Sequence, residues 1–286
     1  MGRFSAARMS KPGLCWALAA AIVLAATSGA AFASPTDKAL VPARWGGFTA
    51  VMGDSPGVFA NPAALRWLDR FVVRAQVLSP LADWALKGHL LNYLEPDTGL
   101  GSGQLAYYKM SDGTGELKQY VYSIAQDLGE RAAVGINLRY SVLAGRSGDE
   151  VDAWLVDVGL QAQASERVTL GAVVRNAIRW GNGARADQFP LSAAVGLAVD
   201  LGRLTLGADY VHSDLSDPLA EGLFHVGLQG RFGNILARIG QHLASGSKTP
   251  FSYAGLGFQL ETFRLDVDVY DEAGGRAIVI GFTFYF

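Results

Sequence analysis

Residues 131–142 read Arg-Ala-Ala-Val-Gly-Ile-Asn-Leu-Arg-Tyr-Ser-Val, and this stretch decides the fold. Every second residue is apolar, while those between are small, polar or charged; the two sets are Ala132, Val134, Ile136, Leu138, Tyr140 and Val142, and Ala133, Gly135, Asn137, Arg139 and Ser141. A β-strand places successive side chains on opposite faces. The stretch therefore predicts a strand with one apolar face and one polar face.

The same alternation recurs from about residue 70 to the C-terminus, with turn residues between the repeats. It predicts about 14 antiparallel strands, and it is least clear in the second to fourth. The predicted segments are 70–78, 84–94, 102–110, 117–127, 131–143, 151–164, 166–178, 190–200, 203–212, 222–232, 234–242, 251–260, 262–270 and 276–286. The sequence therefore predicts an all-β fold.

Two architectures fit this pattern, because the apolar face points inward in a soluble sandwich and toward lipid in a transmembrane β-barrel. The polar face is rich in glycine and in charges of both signs, as a barrel lumen would be, and lysine is scarce after Lys118. We therefore favour an antiparallel transmembrane barrel. The residues predicted to line its lumen are Asn137, Arg139, Asp157, Arg175, Asp209, His225, Arg231, Arg264, Asp266 and Asp268.

The strand ends give further support for the membrane architecture. Aromatic residues such as Trp154 and Trp180 gather near predicted strand ends, where interfacial girdles belong. The last segment alternates strictly and ends on an aromatic residue, which resembles the signal that outer-membrane assembly machinery reads. Its three candidate signal residues are Phe282, Phe284 and Phe286. Membrane lipid and the barrel-assembly machinery are therefore the expected partners.

The first 33 residues have the parts of a secretory signal peptide. A basic region precedes an apolar core over residues 14–26, and Ala31-Phe32-Ala33 fits the small-x-small cleavage rule. An uncleaved anchor helix is the alternative. The only cysteine, Cys15, lies in this segment, so the mature chain would lack thiols. We expect a signal peptide over 1–33, an N-terminal segment over 34–69 and a barrel over 70–286.

The N-terminal segment contains Gly47-Phe48-Thr49-Ala50-Val51, then Asp54, then Val58-Phe59-Ala60-Asn61-Pro62-Ala63-Ala64-Leu65. This pattern resembles the N-terminal signature of PorV/PorQ-type proteins, which belong with the FadL-like fourteen-stranded barrels. The resemblance implies that the segment forms a short plug. The residues themselves predict a helical turn in it, capped by Asn61 and begun by Pro62. The candidate plug or gating residues are Gly46, Gly47, Phe48, Asp54, Asn61 and Pro62.

The resemblance also implies a cellular location and two alternative functions. The location is the cell outer membrane, reached through the signal peptide. In one version a hydrophobic small molecule crosses the barrel, and in the other the barrel assists the secretion of an exported protein. The sequence does not separate these two versions.

Two further classes remain. The barrel could be a plugged structural protein without transport, with lumen charges such as Arg264 and Asp209 or Asp157 paired across the interior. An outer-membrane hydrolase is disfavoured, because no histidine lies in a nucleophile motif and no Gly-x-Ser-x-Gly occurs. Asp266 and Asp268 could share a hard cation, although opposed arginines are the commoner use. We expect no enzyme activity, no catalytic residues, no metal, no cofactor and no nucleic-acid partner.

Overall fold

The computed structural model describes residues 48–50, 59–81, 86–111, 115–145, 150–182, 189–212, 214–215, 222–244, 251–272 and 275–286. The predicted signal peptide, Gly46, Gly47 and Asp54 lie outside these residues. No helix among the described residues is long and apolar enough to cross a membrane.

Nearly all of the described chain is β-sheet. The strands are β1 (Val72–Leu81), β2 (Lys87–Glu95), β3 (Ser102–Ser111), β4 (Gly115–Asp127), β5 (Ala132–Gly145), β6 (Glu150–Gln163), β7 (Val168–Trp180), β8 (Ser192–Asp200), β9 (Leu204–His212), β10 (Gly222–Phe232), β11 (Ile235–Ala244), β12 (Phe251–Gln259), β13 (Phe263–Glu272) and β14 (Gly275–Tyr285). One short 3₁₀ helix, Pro62–Trp67, precedes them. Each strand overlaps its predicted segment.

The sheet closes on itself. Every strand pairs antiparallel with its neighbours in the chain, and β1 pairs with β14 from Val72 opposite Tyr285 to Leu81 opposite Arg276. Closure leaves no strand edge unpaired, which is what a sheet surrounded by lipid requires. The predicted antiparallel barrel of 14 strands is therefore confirmed.

The two faces of the wall differ as the alternation predicted. On β5, the outward Ile136 is 44% exposed, whereas the inward Asn137 is 6% exposed. Outward residues on other strands are likewise apolar and exposed, including Leu105, Leu160 and Phe282. The outer surface is thus an apolar band, and the polar face lines the lumen.

The two ends of the barrel also differ. The start of β1 and the end of β14 lie at one end, called the near rim; the opposite end is called the far rim. The connections at the near rim are short, such as residues 128–131 and 233–234. At the far rim, β7 and β8 are joined by residues 181–191.

A charge placed in the middle of the outer band should destabilise the barrel in lipid. We expect Ile136→Lys to lower the free energy of unfolding from lipid vesicles by about 2–4 kcal/mol, because lysine is costly near the bilayer midplane. Ala132→Lys is the matched control, since it lies on the same face of β5 at the near rim and should cost about 0–1 kcal/mol. Equal losses for the two variants, measured by denaturant titration, would contradict this orientation.

Candidate functional site

A segment of the chain lies inside the barrel before β1 begins. We call residues 48–50 and 59–67 the plug. Thr49, Ala50, Asn61, Ala63 and Leu65 are almost completely buried. The 3₁₀ helix of the plug contacts the inner faces of β3 to β6. The lumen is therefore occupied by the chain's own N-terminal segment.

The side chain of Asn61 connects three parts of the plug and wall. Its Oδ1 accepts a hydrogen bond from the backbone N–H of Ala63 at 3.1 Å, which caps the 3₁₀ helix. Its Nδ2 donates to the carbonyl of Thr49 at 2.9 Å and to the carbonyl of Leu160, on β6, at 2.8 Å. One buried amide thus fixes the start of the helix, the other piece of the plug and the barrel wall. Pro62 follows at the first helical position.

Two charged wall residues also bind the plug. The Oδ2 atom of Asp209, on β9, accepts hydrogen bonds from the backbone N–H and the hydroxyl of Thr49, at 2.8 and 3.0 Å. Arg175, on β7, donates from Nη2 to the carbonyl of Ala60 at 2.9 Å. These wall residues therefore hold both pieces of the plug, which sequence reasoning treated only as lumen lining.

The wall approaches the plug closely because it presents glycine there. A Cβ added at Gly135 would collide with the backbone of Pro62 and Ala63, and one at Gly159 would collide with the side chain of Asn61. Four more wall glycines face the plug or the residues that hold it: Gly171, Gly196, Gly207 and Gly227. The six form cross-strand pairs, namely Gly135 with Gly159, Gly171 with Gly196 and Gly207 with Gly227. We call this set the glycine belt.

Phe48 joins the plug to the opposite side of the wall through a stack of four rings. Its ring lies 3.9 Å from that of His225, which lies 3.7 Å from His242, and His242 lies 3.8 Å from Phe251. His225 was predicted to line the lumen. The stack itself could not be predicted, because it depends on the register between β10 and β11, where His225 and His242 are directly opposite.

A second polar network surrounds Asp157 on β6. Its carboxylate accepts from Arg139 Nη2 at 2.7 Å, from Asn137 Nδ2 at 3.2 Å and from the backbone N–H of Asn176 at 2.9 Å. The pairing of β6 with β7 shifts register at this point, between Val156 and Val158. The carboxylate therefore bonds a backbone amide where the ladder between these strands is interrupted.

A third network connects β11 and β13. Arg238 donates to Asp266 at 2.9 Å and to Asp268 at 2.8 Å, and Arg264 Nε donates to Asp266 at 2.8 Å. Arginines thus oppose both aspartates. Arg264 was suggested to pair with Asp209 or Asp157, but the bond described here is to Asp266, two residues away on the same face of β13. Asp157 instead accepts from Arg139, and Asp209 accepts from Thr49.

The remaining predicted site residues lie at the near rim. Arg231 shares the inward face of β10 with His225, but it is exposed and donates to Gln259 at 2.9 Å. Phe282 and Phe284 point outward from β14, and Phe286 follows the strand, with its N–H bonded to the carbonyl of Phe71 at 3.1 Å. None of these four residues contributes to the plug contacts described above.

A pair of carboxylates anchors the end of the 3₁₀ helix near the near rim. Arg66 forms a two-atom ion pair with Asp127, and its Nη2 lies 4.0 Å from Asp97. The hydrogen bonds that Arg66 donates to Asp127 raise the pKa of Arg66. Backbone N–H groups of Gly99 and Gly101 lower the pKa of Asp97 by bonding its carboxylate. Both shifts favour the charged forms of Arg66 and Asp97.

The lining of the lumen is not uniform along the barrel. A band of inward residues between the two rims is polar, including Asn92 and Gln104, whereas Val72 and Leu94 at the near rim are apolar and pack in one cluster with Leu65. Inward residues toward the far rim form one apolar cluster with Phe48, and we call it the far lining: Leu78, Leu90, Tyr108, Met110, Leu117, Phe251, Tyr253, Tyr270 and Val279. Phe59 of the plug also packs against this cluster. The plug thus packs against the far lining through Phe48 and Phe59, and into a second apolar cluster with Val72 and Leu94 through Leu65.

Potential metal ligands are not clustered in the described part of the chain. Within it, no group of three or more histidine, cysteine, aspartate or glutamate side chains could hold a metal ion. The carboxylates of Asp157, Asp209 and Asp266 are each engaged by the wall or the plug.

The comparison with solved structures identifies the fold. The chain has the fold of the FadL-like hydrocarbon channels. It is similar to the CymD monoaromatic hydrocarbon channel, with a TM-score of 0.62, 15% identity and coverage of 83% of this chain and 94% of that one. It is also similar to the toluene transporter TbuX of Ralstonia pickettii (TM-score 0.61, 12% identity, 83% and 95% coverage). The toluene transporter TodX of Pseudomonas putida gives a TM-score of 0.61, 11% identity and 82% and 93% coverage. No protein-family model and no curated protein matches the chain.

Removal of the Asn61 amide should loosen the plug. We expect Asn61→Ala to make cells more sensitive to large antibiotics, because its hydrogen bonds to Thr49, Ala63 and Leu160 are lost together. The measurement is the inhibitory concentration of vancomycin in cells with equal barrel content. Unchanged sensitivity would count against this role of Asn61.

The glycine belt provides an independent test of plug seating. We expect Gly135→Val to expel the plug, because the new side chain needs the space of the Pro62 and Ala63 backbone. Gly103→Val is the matched control, since the nearest neighbour of an added Cβ at Gly103 is 4.0 Å away. Protease cleavage within the plug should rise for the first variant alone. If both variants are cleaved equally, the belt does not seat the plug.

Proposed function

We propose that this protein is an outer-membrane channel that admits small hydrophobic molecules through the far rim. The proposal rests on the far lining, where buried apolar side chains such as Leu78, Leu90 and Met110 follow a band of polar inward residues. Barrels that conduct water-soluble solutes have polar interiors. An apolar lining instead favours a solute that leaves water, by about 25 cal/mol for each Å² of apolar surface buried.

The outer surface supports the placement in a membrane. A soluble protein seldom exposes a continuous apolar patch, whereas this barrel exposes apolar side chains on strand after strand. The exposed residues include Leu91, Leu160, Val195, Leu256 and Phe282. Lipid satisfies such a surface, and closure of the sheet satisfies the backbone inside it.

The plug controls the passage of solute through the proposed channel. Phe48 and Phe59 pack on the same far lining that a hydrophobic solute would contact. The solute therefore competes with these two rings for one apolar surface. Displacement of the rings would weaken the hold of the wall on the plug, while Asn61 and Asp209 still tether it. We infer that entry at the far rim and release past the plug are coupled in this way.

The names of the similar structures agree in substrate class. They are a monoaromatic hydrocarbon channel and toluene transporters. At 11–15% identity they support the barrel architecture rather than a particular substrate. Small aromatic hydrocarbons are therefore the first probes to use with this protein.

A plugged structural barrel is the second candidate. It is favoured by the number of hydrogen bonds that hold the plug, since Asn61, Asp209 and Arg175 each bond it. The PorV-type secretion role rests on the resemblance of the N-terminal segment alone. No contact among the described residues distinguishes a secretion partner.

Uptake of labelled toluene tests the proposal. We expect cells that carry the barrel to take up toluene faster than cells without it. Leu78→Asn should slow uptake roughly fivefold or more, because one buried leucine contributes about 1.5–3 kcal/mol of apolar stabilisation. Ser79→Asn is the matched control, because Ser79 is the next residue on β1 and points outward.

The outcomes separate the two candidates. Slower uptake with Leu78→Asn and normal uptake with Ser79→Asn would support the channel. Equal uptake by cells with and without the barrel, together with a silent planar bilayer, would support the plugged structural barrel. Heat-dependent migration on a denaturing gel checks that each variant is folded.

A further inference from the structure

Three buried polar side chains lie next to the far lining on the inner wall. On β1 the inward residues change from Gln76 to Leu78, and on β2 they change from Asn92 to Leu90. Thr283 on β14 lies beside them. We call Gln76, Asn92 and Thr283 the amide site, and each of them is exposed by 2% or less. The amide site therefore borders the apolar surface that the proposed channel uses.

Strand register brings these three side chains together. Asn92 and Thr283 are both directly opposite Arg74 of β1, one on each side. Gln76 is the next inward residue of β1, so it is a diagonal neighbour of both, about 7–8 Å away and within reach of a long side chain. A Cβ added at Gly281, directly opposite Gln76, would lie 3.2 Å from Nε2 of Gln76. The amide of Gln76 therefore lies over this glycine.

The polar atoms of the amide site lack partners among the described residues. None of the four amide atoms of Gln76 and Asn92 has a hydrogen-bond partner there, and neither has Oγ1 of Thr283. Roughly nine in ten or more buried polar groups in proteins are paired. An unpaired buried amide is unfavourable, because it has lost its hydrogen bonds to water. Two neighbouring amides of this kind therefore point to a bound group that pairs with them.

The charged residues beside the amide site are already engaged. Arg238 and Arg264 both donate to the carboxylate of Asp266, and Arg238 also donates to Asp268. Arg74 also interacts with other groups. The side chains of the amide site are neutral, and they offer both N–H donors and carbonyl acceptors.

This mixture of donors and acceptors selects the chemistry of the bound group. A carboxylate only accepts hydrogen bonds, so it would leave both amide carbonyls unpaired. A hydrocarbon pairs with neither donors nor acceptors. A hydroxyl both donates and accepts, so it can pair with the carbonyl of one amide and the N–H of the other. It is also a small group, which suits a site that is almost completely buried.

The apolar part of such a molecule has a place on the adjacent wall. Leu90 is directly opposite Gln76, and Leu78 is directly opposite Val279. These three apolar residues belong to the far lining. Two residues along a strand span about 7 Å, which is comparable to the length of one ring with a short substituent. A hydroxyl bound by the amides therefore places its ring on the far lining.

We propose that the channel carries a small aromatic alcohol, with its ring on Leu78 and Leu90 and its hydroxyl on Gln76 and Asn92. The inference rests on the proposed channel and names its substrate class. The amide site lies between the far lining and the second apolar cluster, which contains Leu65. A hydrocarbon that moves past the plug crosses this polar position without hydrogen bonds, whereas an alcohol makes them there.

Fluorine NMR of the protein purified from outer membranes in detergent tests the proposal. The probes are 4-fluorobenzyl alcohol and 4-fluorotoluene, which differ by one hydroxyl. The measured quantity is the ratio of their dissociation constants. We expect Gln76→Met with Asn92→Leu to shift this ratio about tenfold toward the hydrocarbon, because the hydroxyl loses its hydrogen bonds. Gln241→Met makes a matched exchange on the outward face of β11, opposite the exposed Val226, and should leave the ratio unchanged.

The wild-type protein gives a second test that does not depend on the folding of a variant. 4-Fluorobenzyl methyl ether keeps the oxygen acceptor but has no O–H donor. We expect it to bind several-fold more weakly than the alcohol, since one hydrogen bond is lost. Equal binding of ether and alcohol would overturn the proposal. Tighter binding of 4-fluorobenzoate than of the alcohol would indicate an anionic head and would also overturn it.

The remaining outcomes separate this inference from the proposed channel. Leu78→Asn should weaken binding of both probes, and unchanged binding of both would place them outside the lumen and overturn the inference. An unchanged ratio in the double variant, with 4-fluorotoluene still bound, would mean that water alone pairs with the amides. That result would refute the alcohol and leave the channel intact. Binding of neither probe would overturn both.

Discussion

The pairing of β1 with β14 is the constraint on which the rest of the structure depends. It leaves no open strand edge, so the outer surface can be apolar and the inner surface can hold charges away from lipid. A closed wall also fixes the size of the lumen. Anything that lies inside must fit against residues already set by strand register. The glycine belt is a consequence, because only the absence of a side chain at Gly135 and Gly159 makes room for Pro62 and Asn61.

Within that wall, the plug is held both by polar contacts and by apolar contacts. Asn61 and Asp209 bind its backbone and its small polar residues, whereas Phe48 and Phe59 pack on the far lining. These two kinds of contact respond to different conditions. A hydrophobic solute competes with the rings and leaves the hydrogen bonds untouched. This difference explains how a plug could be displaced in part without leaving the barrel.

Sequence reasoning located the strands well because alternation records which face meets lipid. Boundaries were predicted within a few residues, and Asn61 with Pro62 indicated the start of a helical turn. Alternation shows which face of the wall a side chain lies on, but not which residue it contacts. It therefore could not show that Asp209 bonds Thr49 or that Arg264 bonds Asp266. The second to fourth strands were the least clear for a physical reason. Where the lumen is itself apolar, both faces of a strand carry apolar residues, as at the inward Leu90 and the outward Leu91. The sequence there no longer alternates between apolar and polar residues.

In the proposed channel, a small hydrophobic molecule occupies the far lining next to the plug. The most direct measurement is the anomalous scattering of iodine in crystals of the barrel soaked in iodobenzene. We expect an iodine peak inside the lumen, in contact with Leu90 and Tyr108 and close to Phe48. Iodine found on the outer wall alone, with the lumen empty at the same soaking concentration, would contradict it.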